Sequence, residues 1–242
     1  MSSLILRSVF LIAVFIGFVG GSAQAQQDRE TTYRAVRDKN VAPEKSVEYI
    51  GNLMYAEMAR RLMEEDGVNV DFVILRSQYI KSDYYDPIGD ETLDRLQILA
   101  ILAQTSTDPQ DKAQLLAAYK MLLQRHIAHL GIVAQAIVFS KQSPMFGDLQ
   151  KLQKIRNGLV NSIVTTGNGQ TPETAFEIIT LAEETAVLRN ARYKVVKTDH
   201  LEQGIMRYNV HEIITDDGIK GVAFMNVTFP MKHLEKVKLA KR

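Results

Sequence analysis

Residues 165–180, TTGNGQTPETAFEIIT, divide the chain into two parts with different sequence periods. Before this stretch, apolar residues recur every three or four positions, which is the spacing of one face of an α-helix. After it, runs rich in β-branched residues alternate with turn residues, which is typical of strands. We therefore predict an α+β fold with about five to six helices in the amino-terminal part, followed by a small antiparallel sheet with one short helix. We call residues 165–180 the seam.

The seam itself has the composition of a structural turn. Gly167, Asn168 and Gly169 are residue types that adopt positive φ at little or no steric cost. Thr171 is a good helix cap, and Pro172 suits the first position of a helical turn. We expect Gly167, Gly169 and Pro172 to set the path of the chain between the two parts. A phosphate-binding loop is disfavoured, because the stretch has no lysine and follows no strand.

The amino terminus has the pattern of a secretory signal peptide. Arg7 precedes an apolar run at 9–19, and the small-residue exit Ala23-Gln24-Ala25 follows. We expect cleavage after Ala25 and a soluble protein that is exported to the periplasm or the extracellular space. The apolar run is short for a membrane span, so we expect no span after cleavage; an uncleaved anchor is the alternative.

Composition excludes several classes of function. Arg7 is the only charged residue within 1–25, so the mature chain would carry 28 basic and 28 acidic residues and no net charge. A nucleic-acid-binding role is therefore disfavoured, since such proteins need excess positive charge to displace counterions. The chain has no cysteine, which excludes disulfides, thiolate metal sites and cysteine nucleophiles. Stability must come from packing.

Behind the signal peptide we predict four segments. Polar residues 26–42 form a flexible leader, and 43–166 form the helical domain. Residues 167–230 form the sheet region, and 231–242 form a basic tail with the potential to make a short helix.

Within the helical domain, aspartates mark helix starts. Asp71, Asp90, Asp108 and Asp148 each precede an apolar run and are predicted caps. One apolar stripe continues from Leu116 to about Phe139 and fits either a single long helix or two helices separated near 126–131.

In the sheet region the clearest pattern is a hairpin. Residues 206–214 and 219–229 are strand candidates joined by TDDG, in which Asp217-Gly218 favours a tight turn with positive φ at both residues. Residues 175–181 and 193–197 are further strand candidates, with a short helix at 182–190 between them.

The seam and the early helical region resemble the uncharacterised secreted bacterial proteins grouped as domain-of-unknown-function family 4919. That resemblance implies export and a similar architecture, and it implies no activity. Two positions depart from the family pattern, Thr185 in place of tyrosine and Asn168 in place of aspartate. The helical part also resembles tetratricopeptide-like helix pairs, although no regular 34-residue repeat is present. The residues that carry the resemblance to the family are Gly167-Asn168-Gly169, Thr171 to Phe176, Glu183-Glu184 and Leu188, together with Asp71-Phe72, Leu75-Arg76, Tyr79 and Tyr85-Asp86-Pro87.

Few residues form a recognisable chemical site. His126 and His129 are three apart, as in some metal sites, but no further ligand accompanies them and ordinary packing is favoured. Glu183 and Glu184 point about 100° apart on a helix, so their adjacency is no catalytic signal. We name no catalytic residue, metal or cofactor. The candidate binding residues are Asp71, Arg76, Tyr85, Glu173, Glu183 and Glu184.

Two functions follow from these observations. The first is an exported protein-interaction or scaffolding protein that holds a partner in the cell envelope, which makes an enzyme the less favoured interpretation. The alternative is a hydrolase or small-ligand-binding protein with a pocket at the seam, where Glu173, Glu183 and Glu184 would gather. The sequence does not define the partner or the oligomeric state.

Overall fold

The computed structural model describes residues 43–65 and 69–240, with side chains described for 52–65 and 69–239. The predicted signal peptide and leader lie outside the described residues, as does the end of the basic tail. The packing discussed below lies within 51–242, which form one unit. The helices are α1 (Pro43–Glu64), α2 (Phe72–Ile80), α3 (Asp90–Thr105), α4 (Pro109–Arg125), α5 (Leu130–Gln142), α6 (Leu149–Val164), α7 (Leu181–Asn190) and α8 (Thr228–Ala240), and the strands are β1 (Phe176–Glu177), β2 (Lys194–Gln203), β3 (Met206–Ile214) and β4 (Lys220–Asn226).

The predicted α+β fold is confirmed: six of these helices precede the seam, β1 lies within the seam, and the other three strands follow it. Within the described residues, no helix combines the length and the apolar character that a membrane span requires.

Three of the four predicted aspartate caps are correct. The side chains of Asp71, Asp108 and Asp148 accept hydrogen bonds from the free backbone N–H groups at the starts of α2, α4 and α6. Asp90 is instead the first residue of α3, and Gly89 is the N-cap. The carboxylate that serves this helix start is that of Asp86, which accepts from the Gly89 N–H at 2.8 Å and from the Thr92 hydroxyl at 2.8 Å.

The long apolar stripe is two helices, as one of the two sequence interpretations has it. Helix α4 ends at Arg125 and α5 begins at Leu130. His129 caps α5, because its Nδ1 accepts a hydrogen bond from the Ile132 N–H at 3.3 Å. The histidine pair thus lies at the turn between two helices.

The sheet has the order β1-β4-β3-β2. Strands β2, β3 and β4 are antiparallel, as predicted, but β1 pairs with β4 in parallel. An all-antiparallel sheet is therefore wrong in this one pairing, since the chain passes through α7 and two further strands before it returns beside β1. Strand β2 is also twice as long as the predicted 193–197, and it ends at Gln203.

The turns of the sheet differ from the sequence expectation. At TDDG only Gly218 has positive φ, at 81°, and the Gly218 N–H donates to the Thr215 carbonyl. The turn is therefore wider than the tight one predicted. The two-residue turn lies between β2 and β3 at Gly204-Ile205, where Gly204 has a φ of 62°, as the first position of a type II′ turn requires.

Large aromatic side chains fill much of the helical core. Tyr55, Tyr79, Tyr119 and Phe146 are fully buried. The rings of Tyr55 and Tyr79 lie 5.2 Å apart, and those of Tyr119 and Phe146 are also 5.2 Å apart. Such tilted ring pairs add to the stabilisation from apolar burial.

Candidate functional site at the helix–sheet junction

The seam turns tightly against its own backbone. Both the Asn168 and Gly169 N–H groups donate to the Thr174 carbonyl, at 3.0 and 2.8 Å. Of the three residues that tolerate positive φ, only Gly169 adopts it, at 70°, so the tolerance of Gly167 and Asn168 is not used. Gly167 is required for a different reason: a Cβ there would lie 2.2 Å from the Thr174 carbonyl oxygen. The Gly169 carbonyl then accepts from the Phe224 N–H and ties the seam to β4.

Arg76 of α2 and Glu183 of α7 form a buried ion pair beside the seam. Arg76 Nε lies 3.0 Å from Glu183 Oε1, and Arg76 Nη2 lies 2.9 Å from Oε2. The side chains are 4% and 0% exposed. This two-point geometry between a guanidinium and a carboxylate is the strongest form of protein ion pair.

Backbone groups complete the bonding of this pair. Arg76 Nη2 donates to the Glu177 carbonyl at 2.7 Å, and Nη1 donates to the Ser162 carbonyl at 3.3 Å. Glu183 Oε2 also accepts from the Ile179 N–H at 2.8 Å. The pair therefore joins α2, α6, the seam and α7, and its bonding capacity is used within the fold.

Tyr85 packs on the same cluster. Its ring is buried, and its hydroxyl donates to the Ile179 carbonyl at 2.6 Å. Burial raises the pKa of the Tyr85 phenol, and the negative charge of Glu183 raises it further. Arg76, Tyr85 and Glu183 are thus brought together, as an internal brace.

The other three predicted binding residues lie elsewhere. Asp71 caps α2. Glu173 is at the exposed turn of the seam, where its own backbone N–H and the Thr171 hydroxyl lower the pKa of its carboxyl. Glu184 points away from Glu183 and toward the sheet. The three glutamates of the predicted seam pocket therefore do not converge.

Glu184 is the centre of a polar chain that reaches the sheet edge. Its Oε1 lies 2.9 Å from His211 Nε2, a close contact that lacks the geometry of a hydrogen bond. On the far side of the ring, His211 Nδ1 lies 2.9 Å from the Thr198 hydroxyl. Because a carboxylate only accepts, the proton of the neutral ring belongs on Nε2. His211 Nδ1 is then free to accept the Thr198 proton.

The second oxygen of Glu184 continues the chain. Glu184 Oε2 accepts from Asn209 Nδ2 at 2.7 Å, and Asn209 Oδ1 lies 2.7 Å from His200 Nδ1. In space, neighbouring side chains follow one another in the order Thr198, His211, Glu184, Asn209 and His200. These residues belong to β2, β3 and α7. We call these five residues the edge network.

Sequence reasoning found one of the five, Glu184. Thr198 and His211 are direct partners across β2 and β3, as are His200 and Asn209. The sequence feature that could have identified these pairs is the two-residue turn at Gly204, because that turn fixes the pairing of β2 with β3. The predicted strand ends at residue 197 and so leaves out Thr198 and His200.

The histidines beside the predicted helix break form a separate buried cluster. Tyr79 Oη lies 3.1 Å from His126 Nδ1, and the Asp86 N–H donates to the same Tyr79 oxygen at 3.2 Å. Burial lowers the pKa of His126 to about 4, and burial also lowers the pKa of His129. Both rings are therefore neutral at pH 7. Among the residues with described side chains, no group of three or more histidines, aspartates or glutamates is placed to hold a metal ion.

Comparisons with protein-family models, curated proteins and solved structures found no match to this chain.

Proposed function

We propose that the protein is exported and acts by binding an extended segment of a cell-envelope protein along the free edge of β2. Support for export comes from the signal-peptide pattern at 1–25. We also propose membership of family 4919, on the seam residues named above. The binding proposal rests on the position of β2 at the edge of the sheet and on its exposure.

Among the described residues, strand β2 is the outer strand of the sheet, and it is exposed at all ten of its residues. Its apolar side chains include Val195, Val196 and Leu201, which are 39%, 60% and 38% exposed. An outer strand offers a row of backbone N–H and C=O groups that a further strand can pair with. Protein partners are commonly bound by such strand addition.

The register identifies which backbone groups face outward. In a two-residue hairpin the residues that flank the turn exchange both hydrogen bonds, and the pattern then alternates along the strands. Gln203 flanks the turn and is bonded to Met206 of β3. The backbone groups of Thr198, His200 and Glu202 therefore face away from β3 and toward an added strand.

The contacts of the other candidate residues favour a binding role over catalysis at the seam. Arg76 and Glu183 are buried and bonded to each other, and Asp71 is used as a cap. The predicted alternative, a hydrolase or ligand-binding pocket at the seam, has no support in this geometry.

The test uses a proline at an outward position. His200→Pro removes an outward N–H without breaking the β3 ladder, whereas the matched control His200→Thr loses the same ring and keeps the N–H. A photo-crosslinking residue at Leu201 in the exported protein reports the neighbour of β2. We expect one extended partner segment to be crosslinked in the parent and in His200→Thr, and to be lost in His200→Pro. Equal crosslinking in both variants would contradict strand addition.

A further inference from the structure

The edge network has the arrangement of an activated nucleophile, in which a hydroxyl faces a base and a third group orients that base. We infer that Thr198 accepts acyl groups with His211 as its general base, and that this site hydrolyses small activated carboxylic esters. This activity is independent of strand addition, because it uses the side chain of Thr198 and not its backbone.

The base is positioned on both sides. The Thr198 hydroxyl lies 2.9 Å from His211 Nδ1, within the range for direct proton transfer. Glu184 Oε1 lies 2.9 Å from Nε2 without the geometry of a hydrogen bond, and its negative charge favours the ring proton on that nitrogen. The tautomer that results has its lone pair directed at the Thr198 hydroxyl.

The support of the base is rigid. His211 is 3% exposed on β3, and the side chain of Glu184 is 16% exposed on α7. Asn209 Nδ2 donates to the second Glu184 oxygen at 2.7 Å and so fixes the carboxylate plane. A triad-like order is thus built from two adjacent strands and one helix, as pre-organised catalysis requires.

Access decides the class of substrate. Thr198 is exposed on the outer strand while its base is buried behind it, so a small flat ester can approach the hydroxyl from solvent. In the reaction, the Thr198 oxygen bonds to the ester carbonyl carbon as its proton passes to His211 Nδ1. The leaving alcohol takes that proton when the ester C–O bond breaks. A water molecule then gives a proton to the same nitrogen as its oxygen bonds to the acyl carbon. The Thr198 oxygen takes that proton back when its bond to the acyl carbon breaks and the carboxylic acid leaves.

The test uses the mature chain with p-nitrophenyl acetate. Nitrophenol release is followed continuously, and acid-quenched samples are mapped by mass spectrometry for an acetyl group on Thr198. We expect the adduct and turnover in the parent protein and in Thr198→Ser. Thr198→Val should abolish the adduct and reduce the rate to that of surface side chains, while His211→Gln should lower it about 100-fold.

Matched controls separate this result from general reactivity. Thr107→Val removes an exposed threonine hydroxyl far along the chain and should leave the rate unchanged. The comparison of Thr198→Val with Thr198→Ser decides the question even if His211→Gln does not fold, because Thr198 is exposed. An adduct spread over other residues with none on Thr198, or equal rates in the parent and Thr198→Val, would overturn the inference. Thr198→Val keeps its backbone N–H, so partner crosslinking at β2 should be unaffected whatever the esterase result.

Discussion

Replacing one partner of the buried Arg76–Glu183 pair should destabilise the protein more than expected from the loss of the pair alone, because the other charge stays buried. Replacing both partners should relieve part of that loss. Arg76→Met leaves the Glu183 carboxylate buried without its counter-charge and also removes a donor from the Glu177 and Ser162 carbonyls, of which Ser162 keeps the Thr165 hydroxyl. Removal of one partner of a buried pair typically costs about 3–5 kcal/mol. Domains of this kind are stable by about 5–15 kcal/mol, so the single variant should lose a fifth or more of the total stability.

The double-variant cycle isolates the interaction. Glu183→Gln keeps an oxygen for the Ile179 N–H and should cost about 3 kcal/mol, since the guanidinium then faces a neutral amide. When both changes are combined, no unpaired charge remains in the interior. We expect the double variant to be more stable than the sum of the two single effects predicts, by about 2 kcal/mol or more.

Urea denaturation followed by circular dichroism at pH 7 provides the measurement, because the chain has no tryptophan. The control is Arg60→Met, which removes an arginine that bonds to Glu57, Glu64 and Glu65 on the surface of α1. Surface pairs contribute little, so we expect a loss of about 1 kcal/mol or less. A coupling energy between Arg76 and Glu183 below about 0.5 kcal/mol would refute the brace.

Two further predictions concern the helical core. Because burial lowers the pKa of His126 to about 4 from about 6.5, the unfolded chain binds the extra proton between these values. The free energy of unfolding should therefore be highest above pH 6.5 and decrease by about 3 kcal/mol as the pH falls to 4. Urea titrations at pH 7.5 and 4.5 should show a smaller decrease in His126→Gln than in the parent protein. An equal decrease in both would contradict this role. Gly158→Ala places a Cβ 2.2 Å from the Phe72 ring, so we expect a loss of about 1–3 kcal/mol that Phe72→Leu partly restores; a stability equal to that of the parent would show that the ring moves aside without cost.

Local features of the fold were predictable because their causes are local. Asp108 and Asp148 cap helices through N–H groups two and three residues away, and the sequence alone carries that relation. The prediction of Asp90 as a cap is wrong because Asp86, which lies before Pro87, accepts the hydrogen bond from the Gly89 N–H at this helix start.

Long-range features were not predictable from periodicity. Arg76 and Glu183 are separated by 107 positions, and nothing in either segment indicates the other. The edge network depends on the register of β2 and β3, where a shift of one residue would turn Thr198 and His211 to opposite faces. Gly204, the first residue of the two-residue turn, is the sequence mark of that register.

The brace at Arg76 also bears on how this chain can be inherited and divided. A gene fragment that ends before the seam would encode α2 with its arginine directed into the interior and no acid to meet it. The carboxylate supplied by α7 cannot be borrowed by another sheet unless that sheet arrives with a matching helix. We therefore expect recombination to keep the helical part and the sheet together as one evolutionary unit.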